Sequence, residues 1–363
     1  MRRALALAAR GRYSAAPNPK VGALVARGGE VVGEGYHRRA GEPHAEPLAL
    51  EAAGERARGA TLYVTLEPCD HHGRTPPCTE AILAAGVARV VACHGDPDLR
   101  VRGAGFSRLR AAGVAVEVGL LAEEALALNL AYLAPQLLGR PAVTLKWAMS
   151  WDGKIATVGG ESRWISSPAA RRWALSLREE HDAILVGSGT VLADDPQLTR
   201  RLGWASGPFR RLVLDRRLRT PATARLFTEP GAVVIYTEST DSAPRRALER
   251  AGAEVVVLER VTPEAVLAEL QRQQVRSVLV EGGGGVHAAF LESGCYDRVL
   301  VVAAPLLIGG LGAPGPVGGA GERSLAAAPR LERTGSRRMG PDRLLWGYRP
   351  GCLAGLSESV AGW

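Results

Sequence analysis

Hydrophobic positions along the first 140 residues alternate between strand-like and helix-like patterns. The predicted strands are residues 22–26, 30–36, 61–66, 89–93 and 114–118. The predicted helices are residues 2–10, 43–53, 79–85 and 106–112, and the second of these has Pro43 near its first turn. This interleaving predicts an α/β domain whose polar motifs collect where strands run into helices.

The second half repeats the alternation after Gly139-Arg140-Pro141, a linker-like tripeptide that places a domain boundary near residue 140. The predicted strands are residues 142–145, 183–186, 211–214, 232–236, 254–258, 277–280 and 298–302. The predicted helices are residues 168–180, 243–251, 263–273 and 286–292. We therefore expect a first domain over 1–140, a second α/β domain over 141–350, a mobile Gly-, Pro- and Ala-rich loop at 309–321, and a tail without periodicity at 351–363.

Composition narrows the class of protein. A chain of 363 residues is long for one domain, and it contains no run of about 18 apolar residues that would predict a membrane span. Five cysteines are few and odd in number, which favours a reducing cytoplasm over disulfide stapling. The net charge of +8 comes from scattered arginines and not from a basic block, so we expect small phosphorylated substrates and no nucleic acid or membrane partner.

Lysine and asparagine are unusually scarce. Among 45 Lys and Arg residues the only lysines are Lys20, Lys146 and Lys154, and the only asparagines are Asn18 and Asn129. Because a compact ammonium and a planar guanidinium are not interchangeable, a lysine kept in this background suggests a task that arginine cannot perform. Chance survival is the alternative for any one of them.

Three residues in the first domain have the chemistry of zinc ligands. His44-Ala45-Glu46 is followed by Pro68-Cys69, and eight residues separate Cys69 from Cys78. One imidazole and two thiolates leave a fourth position for water, as in catalytic zinc sites, and Glu46 can then transfer protons without binding the metal. The alternative is a structural site of four ligands completed by His71 or His72.

Two glycine-rich junctions in the second domain are typical of phosphate binding. Residues 277–287 form an apolar strand, four glycines and a helix start, and residues 187–190 repeat the arrangement as Gly-Ser-Gly-Thr. Glycines allow backbone N–H groups at a helix N-terminus to approach an anionic cofactor. Tight packing without a ligand is the alternative for either junction alone.

The first domain resembles the bifunctional pyrimidine deaminase/reductase family of riboflavin biosynthesis. The resemblance lies in Pro17-Asn18-Pro19, residues 33–37, His44-Ala45-Glu46 and the segment 67–78 ending in Thr-Pro-Pro-Cys. It implies a cytidine-deaminase-like three-layer α/β/α fold, Zn²⁺ held by His44, Cys69 and Cys78, and Glu46 as the catalytic residue. The residues that it implies for substrate binding are Asn18, His37, His71 and Arg74. Asp98 departs from the asparagine that the family usually has there.

The second domain resembles the reductase half of the same family, which has a dihydrofolate-reductase-like α/β fold and uses NADPH. The resemblance lies in Leu145-Lys146, residues 152–156, 187–190, 194–199 and 280–283. The residues that it implies for NADPH binding are Ala148, Trp164, Thr190, Asp194, Gly283, Gly284, Gly285, Val286, His287, Ala288 and Ala289. Those that it implies for substrate binding are Ser162, Arg178, Leu198, Arg201 and Glu281. Lys146 and Asp194 are plausible proton or electrostatic partners. Arg216, Arg217 and Arg219 are candidates for the 2′-phosphate, unless they form only a solvated basic turn.

Together the two resemblances imply a cytoplasmic enzyme with two reactions. The first removes the 2-amino group of a diamino-pyrimidinone ribosylamino 5′-phosphate by hydrolysis, and the second reduces the ribosyl group to ribityl with NADPH. The family also implies a dimer or tetramer. Two rival hypotheses remain: a tRNA or nucleoside deaminase with an unrelated second domain, and a non-catalytic zinc-binding module.

Overall fold

A computed structural model of the chain describes residues 1–361. The described residues form two compact units. The first comprises Met1–Leu138, the short segment Trp204–Ser206 and the end of the described chain from Leu353, and the second comprises Gly139–Gly203 and Gly207–Cys352. Each unit has its own sheet and its own hydrophobic core.

The first unit is built on a five-stranded sheet. Its strands are β1 (Gly22–Arg27), β2 (Glu30–Tyr36), β3 (Thr61–Val64), β4 (Arg89–Ala92) and β5 (Ala115–Val118). They are arranged in the order β2-β1-β3-β4-β5, with β1 antiparallel to β2 and β3, and with β3, β4 and β5 parallel. The carboxyl ends of β3 and β4 therefore meet at one edge, where the segments that contain Cys69 and Asp96 begin.

Helices cover both faces of this sheet. They are α1 (Arg2–Ala8), α2 (Ala45–Ala53), α3 (Cys78–Ala84), α4 (Ala104–Ala111), α5 (Ala122–Leu128) and α6 (Leu130–Leu137). Helix α1 packs on one face of β1, because a Cβ atom at Gly22 would lie 2.1 Å from the carbonyl oxygen of Ala4. Ala23 and Val25 point to the other face and share a buried cluster with Ala49 of α2. The unit is thus a three-layer α/β/α domain, as the resemblance implied.

The second unit contains a nine-stranded sheet in the order β10-β9-β8-β7-β11-β6-β12-β14-β13. Its strands are β6 (Ala142–Ser150), β7 (Ala183–Gly187), β8 (Arg210–Leu214), β9 (Ala232–Thr237), β10 (Ala253–Val257), β11 (Ser277–Val280), β12 (Arg298–Ala304), β13 (Glu332–Met339) and β14 (Asp342–Tyr348). All neighbours are parallel except β12–β14 and β14–β13. Central strands that are buried throughout, such as β7 and β11, are typical of parallel sheets covered on both faces.

Two clusters of apolar side chains lie on opposite faces of this sheet. The helices are α7 (Pro168–Glu180), α8 (Ser188–Asp194), α9 (Ser242–Arg250), α10 (Pro263–Arg272) and α11 (Gly284–Glu292). Ala183 and Leu185 of β7 share a cluster with α10 and α11, whereas Ile184 and Val186 share another with α8 and α9. Because successive side chains of β7 point to opposite faces of the sheet, α8 and α11 pack on opposite faces near the carboxyl end of this strand.

The sequence patterns missed five elements and mistook the character of one segment. The missed elements are α5, α6, α8, β13 and β14. Residues 351–363, expected to lack periodicity, contain a further helix, α12 (Cys352–Ala361), with Leu353, Leu356 and Val360 buried. Strands β13 and β14 were missed because the first is charged and largely exposed, so its pairing with β14 is not visible as an apolar run.

Within residues 1–361, no helix combines the length and the hydrophobicity that crossing a bilayer requires.

Candidate active sites

Helix α2 brings His44 and Glu46 to the edge of the first sheet. Glycines in β2 allow the helix to approach closely, because a Cβ atom at Gly33 or Gly35 would lie only 2.1 or 2.4 Å from carbonyl oxygens of α2. His44 is the residue that precedes α2, in an extended conformation, and Glu46 lies in the first turn. A carboxylate is favoured there by the positive end of the helix dipole.

Cys69 and Cys78 complete a cluster of metal-ligating atoms around His44. Cys78 begins α3 and is fully buried, and Cys69 lies in the loop that follows β3. The Nδ1 atom of His44 lies 3.2 Å from the Sγ atom of Cys78 and 3.6 Å from that of Cys69, and the three ligand atoms lie within 4.8 Å of one another. Over residues 1–361 this cluster contains no fourth His, Cys, Asp or Glu. The donor set therefore fits zinc with an open coordination position, and Nδ1 is the ligand atom of His44.

Burial determines the electrostatics of this cluster. Desolvation raises the pKa of Glu46 to about 7. A hydrogen bond from Cys78 lowers the pKa of the Cys69 thiol to about 4, and the same bond raises the pKa of Cys78. Without a cation only one of the two sulfurs is stabilised as a thiolate, whereas a divalent ion stabilises both.

The ligand cluster opens into a cavity of about 330 Å³. All four predicted substrate-binding residues of the first domain line this cavity: Asn18, His37, His71 and Arg74. Burial lowers the pKa of His37, so its ring is neutral, with Nδ1 donating to the carbonyl oxygen of Pro43. Its Nε2 atom then accepts from the Asn18 side-chain amide at 3.0 Å, which leaves the Asn18 Oδ1 atom as an acceptor for a ligand N–H group.

A buried carboxylate that the sequence patterns did not identify holds the rim of this cavity. Glu67 accepts four backbone N–H bonds of 3.0–3.3 Å, from Asp96, Gly103, Gly105 and Phe106. Gly105 is required for this approach, because a Cβ atom there would lie 1.9 Å from the carbonyl oxygen of Pro68. Glu67 therefore ties the Cys69 loop to the segment that follows β4.

Asp98, the expected departure from the family, lies on the same rim. Its carboxylate pairs with Arg100, with Oδ2 at 2.5 Å from Nη2 and Oδ1 at 2.9 Å from Nε. The Arg100 guanidinium lowers the pKa of Asp98. The negative charge of Asp98 is thus neutralised within two residues.

A second cavity, of about 790 Å³, lies in the second unit. Eight predicted residues line it: Ser162, Thr190, Asp194, Gly283, Gly284, Gly285, Val286 and Ala289. The two glycine-rich junctions meet here, since the Gly283 N–H donates to Thr190 Oγ1 at 3.2 Å. A Cβ atom at Gly187 or Gly282 would lie 2.8 or 2.9 Å from Val286, so glycine is needed for α11 to pack across the strand ends.

Four predicted cofactor residues are not among the described residues that line this cavity. Ala148 lies on β6, Trp164 is 67% exposed with Arg171 stacked 4.6 Å from its ring, and His287 and Ala288 are buried. His287 instead contacts the segment predicted to be a mobile loop, through a bond of 2.9 Å between Nδ1 and the carbonyl oxygen of Pro316. Lys154 also bonds this loop, at the carbonyl oxygen of Ala313.

Two of the remaining predicted substrate residues form a buried ion pair. Arg178 Nη2 lies 2.8 Å from Glu281 Oε2, and Lys146 Nζ lies 3.9 Å from Glu281 Oε1. Although desolvation opposes ionisation, the charges of Arg178 and Lys146 lower the pKa of Glu281. Arg178 also donates to the carbonyl oxygen of Thr199, between the other two predicted residues, Leu198 and Arg201. Leu198 is buried and Arg201 is exposed.

Two family models match successive segments of the chain. Residues 1–94 match the family model for the cytidine and deoxycytidylate deaminase zinc-binding region, and residues 141–345 match that for the RibD C-terminal domain. The riboflavin biosynthesis protein RibD of Synechocystis is 44% identical over 350 residues, which cover 96% of this chain and 95% of that protein.

Solved structures agree over the same length. RibD of Acinetobacter baumannii is 37% identical, with a TM-score of 0.80, and the match covers 96% of this chain and 97% of that one. A diaminohydroxyphosphoribosylaminopyrimidine deaminase/5-amino-6-(5-phosphoribosylamino)uracil reductase of Thermotoga maritima is 36% identical, with a TM-score of 0.81 and the same coverage. The chain therefore belongs to the RibD family of riboflavin biosynthesis proteins, with a zinc-binding deaminase domain and a reductase domain.

Proposed function

We propose that this chain catalyses two successive steps of riboflavin biosynthesis. The first is the hydrolytic deamination of 2,5-diamino-6-ribosylamino-4(3H)-pyrimidinone 5′-phosphate. The second is the NADPH-dependent reduction of the product to 5-amino-6-ribitylamino-uracil 5′-phosphate. The observation that carries the proposal is the cluster of His44, Cys69 and Cys78 beside a cavity that Glu46, Asn18 and His37 line, in a chain with a reductase domain.

In the deaminase site, each residue has a role that follows from its geometry. His44, Cys69 and Cys78 would hold Zn²⁺, which supplies an activated water as nucleophile at neutral pH. Glu46 would transfer one proton from the attacking water to the ring nitrogen, and then the second proton of that water to the departing amine, which leaves as ammonia; its raised pKa suits transfer in both directions. Asn18 Oδ1 accepts from an N–H of the pyrimidine and fixes the ring over the ligands. Arg74 is exposed at the cavity mouth, where it can pair with the substrate phosphate.

In the reductase site, the glycine-rich segment would bind the cofactor and the buried charges would bind the substrate. Backbone N–H groups of Gly283–Gly285, at the N-terminus of α11, would donate hydrogen bonds to the cofactor phosphates. NADPH supplies the hydride when bound. Ser162 donates to Asp194 at 3.0 Å, which orients that carboxylate at the cavity wall. Arg178, Lys146 and Glu281 form a polar cluster of net positive charge that suits a phosphorylated, hydroxyl-rich substrate.

The preference for NADPH is assigned to the arginines that follow β8. Arg216, Arg217 and Arg219 are exposed and line the second cavity, and Arg219 Nη2 is held 3.2 Å from Ser188 Oγ. Guanidinium groups at this position can pair with a 2′-phosphate, which NADH lacks.

We expect Arg216→Ala/Arg217→Ala to weaken NADPH binding by about tenfold to a hundredfold, corresponding to the loss of one charge-assisted hydrogen bond, with little effect on NADH. The measurements are KM for both cofactors and direct calorimetric binding of 2′-AMP and 5′-AMP. Arg246→Ala/Arg250→Ala, at two exposed arginines of α9 outside the cavity, controls for the loss of two positive charges. An unchanged ratio of the two cofactor affinities would rule out this assignment.

Metal removal separates the two proposed activities. We expect dialysis against a strong zinc chelator to reduce ammonia release from the diamino-pyrimidinone phosphate to a few per cent or less, since the nucleophile depends on the metal. NADPH oxidation with the deaminated intermediate should persist, because no residue of the second cavity belongs to the ligand cluster. Zn²⁺ should restore ammonia release and Mg²⁺ should not, because sulfur and nitrogen ligands do not select Mg²⁺. Chelator-resistant ammonia release would contradict the metal assignment.

A further inference from the structure

Asn129, one of only two asparagines in the chain, makes an unusual long-range contact in the first unit. It is 1% exposed, between α5 and α6. Its Oδ1 atom accepts from the backbone N–H of Lys20 at 2.8 Å, and its Nδ2 atom donates to the Lys20 carbonyl oxygen at 3.0 Å. The side-chain amide thus pairs with one residue as a neighbouring strand would, across 109 positions of sequence. Lys20 Nζ adds a bond to the carbonyl oxygen of Leu128 at 2.8 Å.

The segment that Asn129 holds is a wall of the deaminase cavity. Pro17, Asn18 and Pro19 line that cavity and directly precede Lys20. Asn18 bonds His37 on the facing segment, so its position depends on where the Pro17–Lys20 backbone lies. A shift of this backbone would move the Asn18 acceptor without touching His44, Cys69, Cys78 or Glu46.

Tyr132 makes a corresponding contact three residues later, on the same face of α6. Its hydroxyl group donates to Asp96 Oδ1 at 2.7 Å, and the N–H of Asp98 donates to the same atom at 3.0 Å. Asp96 and Asp98 line the deaminase cavity on the side of β4, and Tyr132 itself also reaches this cavity. The start of α6 therefore contacts two cavity walls that are remote from each other in sequence.

We propose that Asn129 and Tyr132 are positioning residues of the deaminase, which fix the Asn18 and Asp96 walls at the spacing that the pyrimidine requires. The proposal rests on the deaminase function proposed above. Asparagine is suited to this task because it offers one donor and one acceptor on a short side chain, matching the N–H and C=O of a single residue. Arginine and lysine offer donors only, and an aspartate offers acceptors only when ionised.

The expected signature is a change in KM with little change in kcat. Asn129→Ala should raise the KM of ammonia release by about tenfold while kcat stays within about threefold, because the ground state and the transition state both use the Asn18 wall. Tyr132→Phe, which removes one oxygen atom, should raise KM by about threefold to tenfold. Bound zinc should stay at one ion per chain in both variants, because the ligand cluster is not touched.

The reductase activity of each variant serves as a control for its folding. Reductase activity on the deaminated intermediate should remain within about twofold of the wild type in both variants, since the second unit has a separate core. Glu124→Ala, on the neighbouring helix α5, is the control, because Glu124 is exposed and does not line the deaminase cavity. It should leave KM unchanged.

Each result decides the proposal. A rise in KM with retained zinc, kcat and reductase activity supports it. Unchanged KM in both variants overturns it, as does a loss of kcat and zinc in Tyr132→Phe, which would indicate a general role in folding. If Asn129→Ala does not accumulate as folded protein, the smaller Tyr132→Phe change decides alone. A wild-type chain that releases no ammonia would instead refute the proposed function.

Discussion

Glu46→Gln is expected to abolish deamination while leaving reduction intact. Glutamine has nearly the same shape as glutamate but cannot carry protons, and positioned acid–base groups contribute roughly 10²–10⁴-fold to rate. Glu46 is 3% exposed and lies in the first turn of α2. Because the position is buried, other side chains have little freedom to move in and take over proton transfer. We therefore expect kcat for ammonia release to fall by about 10³-fold or more, with zinc still bound by His44, Cys69 and Cys78.

Three measurements make this test specific. Elemental analysis should find one zinc per chain, and NADPH oxidation with the deaminated intermediate should stay within about twofold of the wild type. Glu51→Gln is the matched control, because Glu51 is an exposed glutamate on the same helix. Ammonia release within about tenfold of the wild type would show that Glu46 is not the proton carrier, whereas the zinc-binding module predicts no ammonia release from either protein.

The second large effect is expected at the buried charges of the reductase. Glu281 faces two cations, Arg178 and Lys146, and all three side chains are no more than 14% exposed. Glu281→Gln leaves two buried positive charges without a partner, which costs about 3–5 kcal/mol of unfolding free energy. Arg178→Met breaks the same hydrogen bond but leaves the Lys146–Glu281 pair neutral, so it should cost less, about 1–3 kcal/mol. Both changes should abolish reduction if these residues bind the substrate.

Tryptophan fluorescence is a suitable probe for the expected difference in unfolding free energy between the two variants. Five of the seven tryptophans lie in the second unit and Trp204 lies in the first, so urea unfolding followed by fluorescence reports mainly on the second unit. Ammonia release should be unchanged in both variants. Equal destabilisation by the two substitutions would contradict the role of net charge.

The same cluster predicts a dependence on pH. Because the folded pKa of Glu281 is lowered from its ordinary value of 4.5, its stabilising contribution is fully present above that value and is lost as pH falls through the lower folded pKa. The difference in unfolding free energy between wild type and Glu281→Gln should therefore shrink on acidification below about pH 4.5.

Residue type and spacing were sufficient for the zinc cluster and for the two glycine junctions, because both depend on motifs at strand ends. The scarcity of lysine was also informative in physical terms. Lys20 donates to the backbone carbonyl oxygen of Leu128, Lys154 donates to that of Ala313, and Lys146 lies beside Glu281. A compact ammonium group on a flexible stem can approach such an oxygen directly, whereas a planar guanidinium presents its donors in a wider, fixed fork.

The features that the sequence patterns missed depend on contacts between distant segments. Glu67 looks like part of the Pro68-Cys69 motif, but its partners are backbone N–H groups as many as 39 residues away. Asn129 lies in an apolar helical stretch and has no motif around it. The family resemblance also named Ala148, Trp164, His287 and Ala288 for the cofactor, and their place in binding stays a prediction because the described cavity wall does not include them.

Strand β11 ends at Val280, Glu281 follows directly, and only Gly282 separates Glu281 from Gly283. If the carboxylate accepts a hydrogen bond from a hydroxyl group of the substrate and the glycine binds the dinucleotide, the donor and the acceptor of the hydride are held by three consecutive amino acids. Thermal motion of the surrounding helices would then displace the cofactor and the substrate together, and the distance between them would stay constant. By the same logic, inserting a single residue between these positions would separate the reactants without disturbing either individual contact.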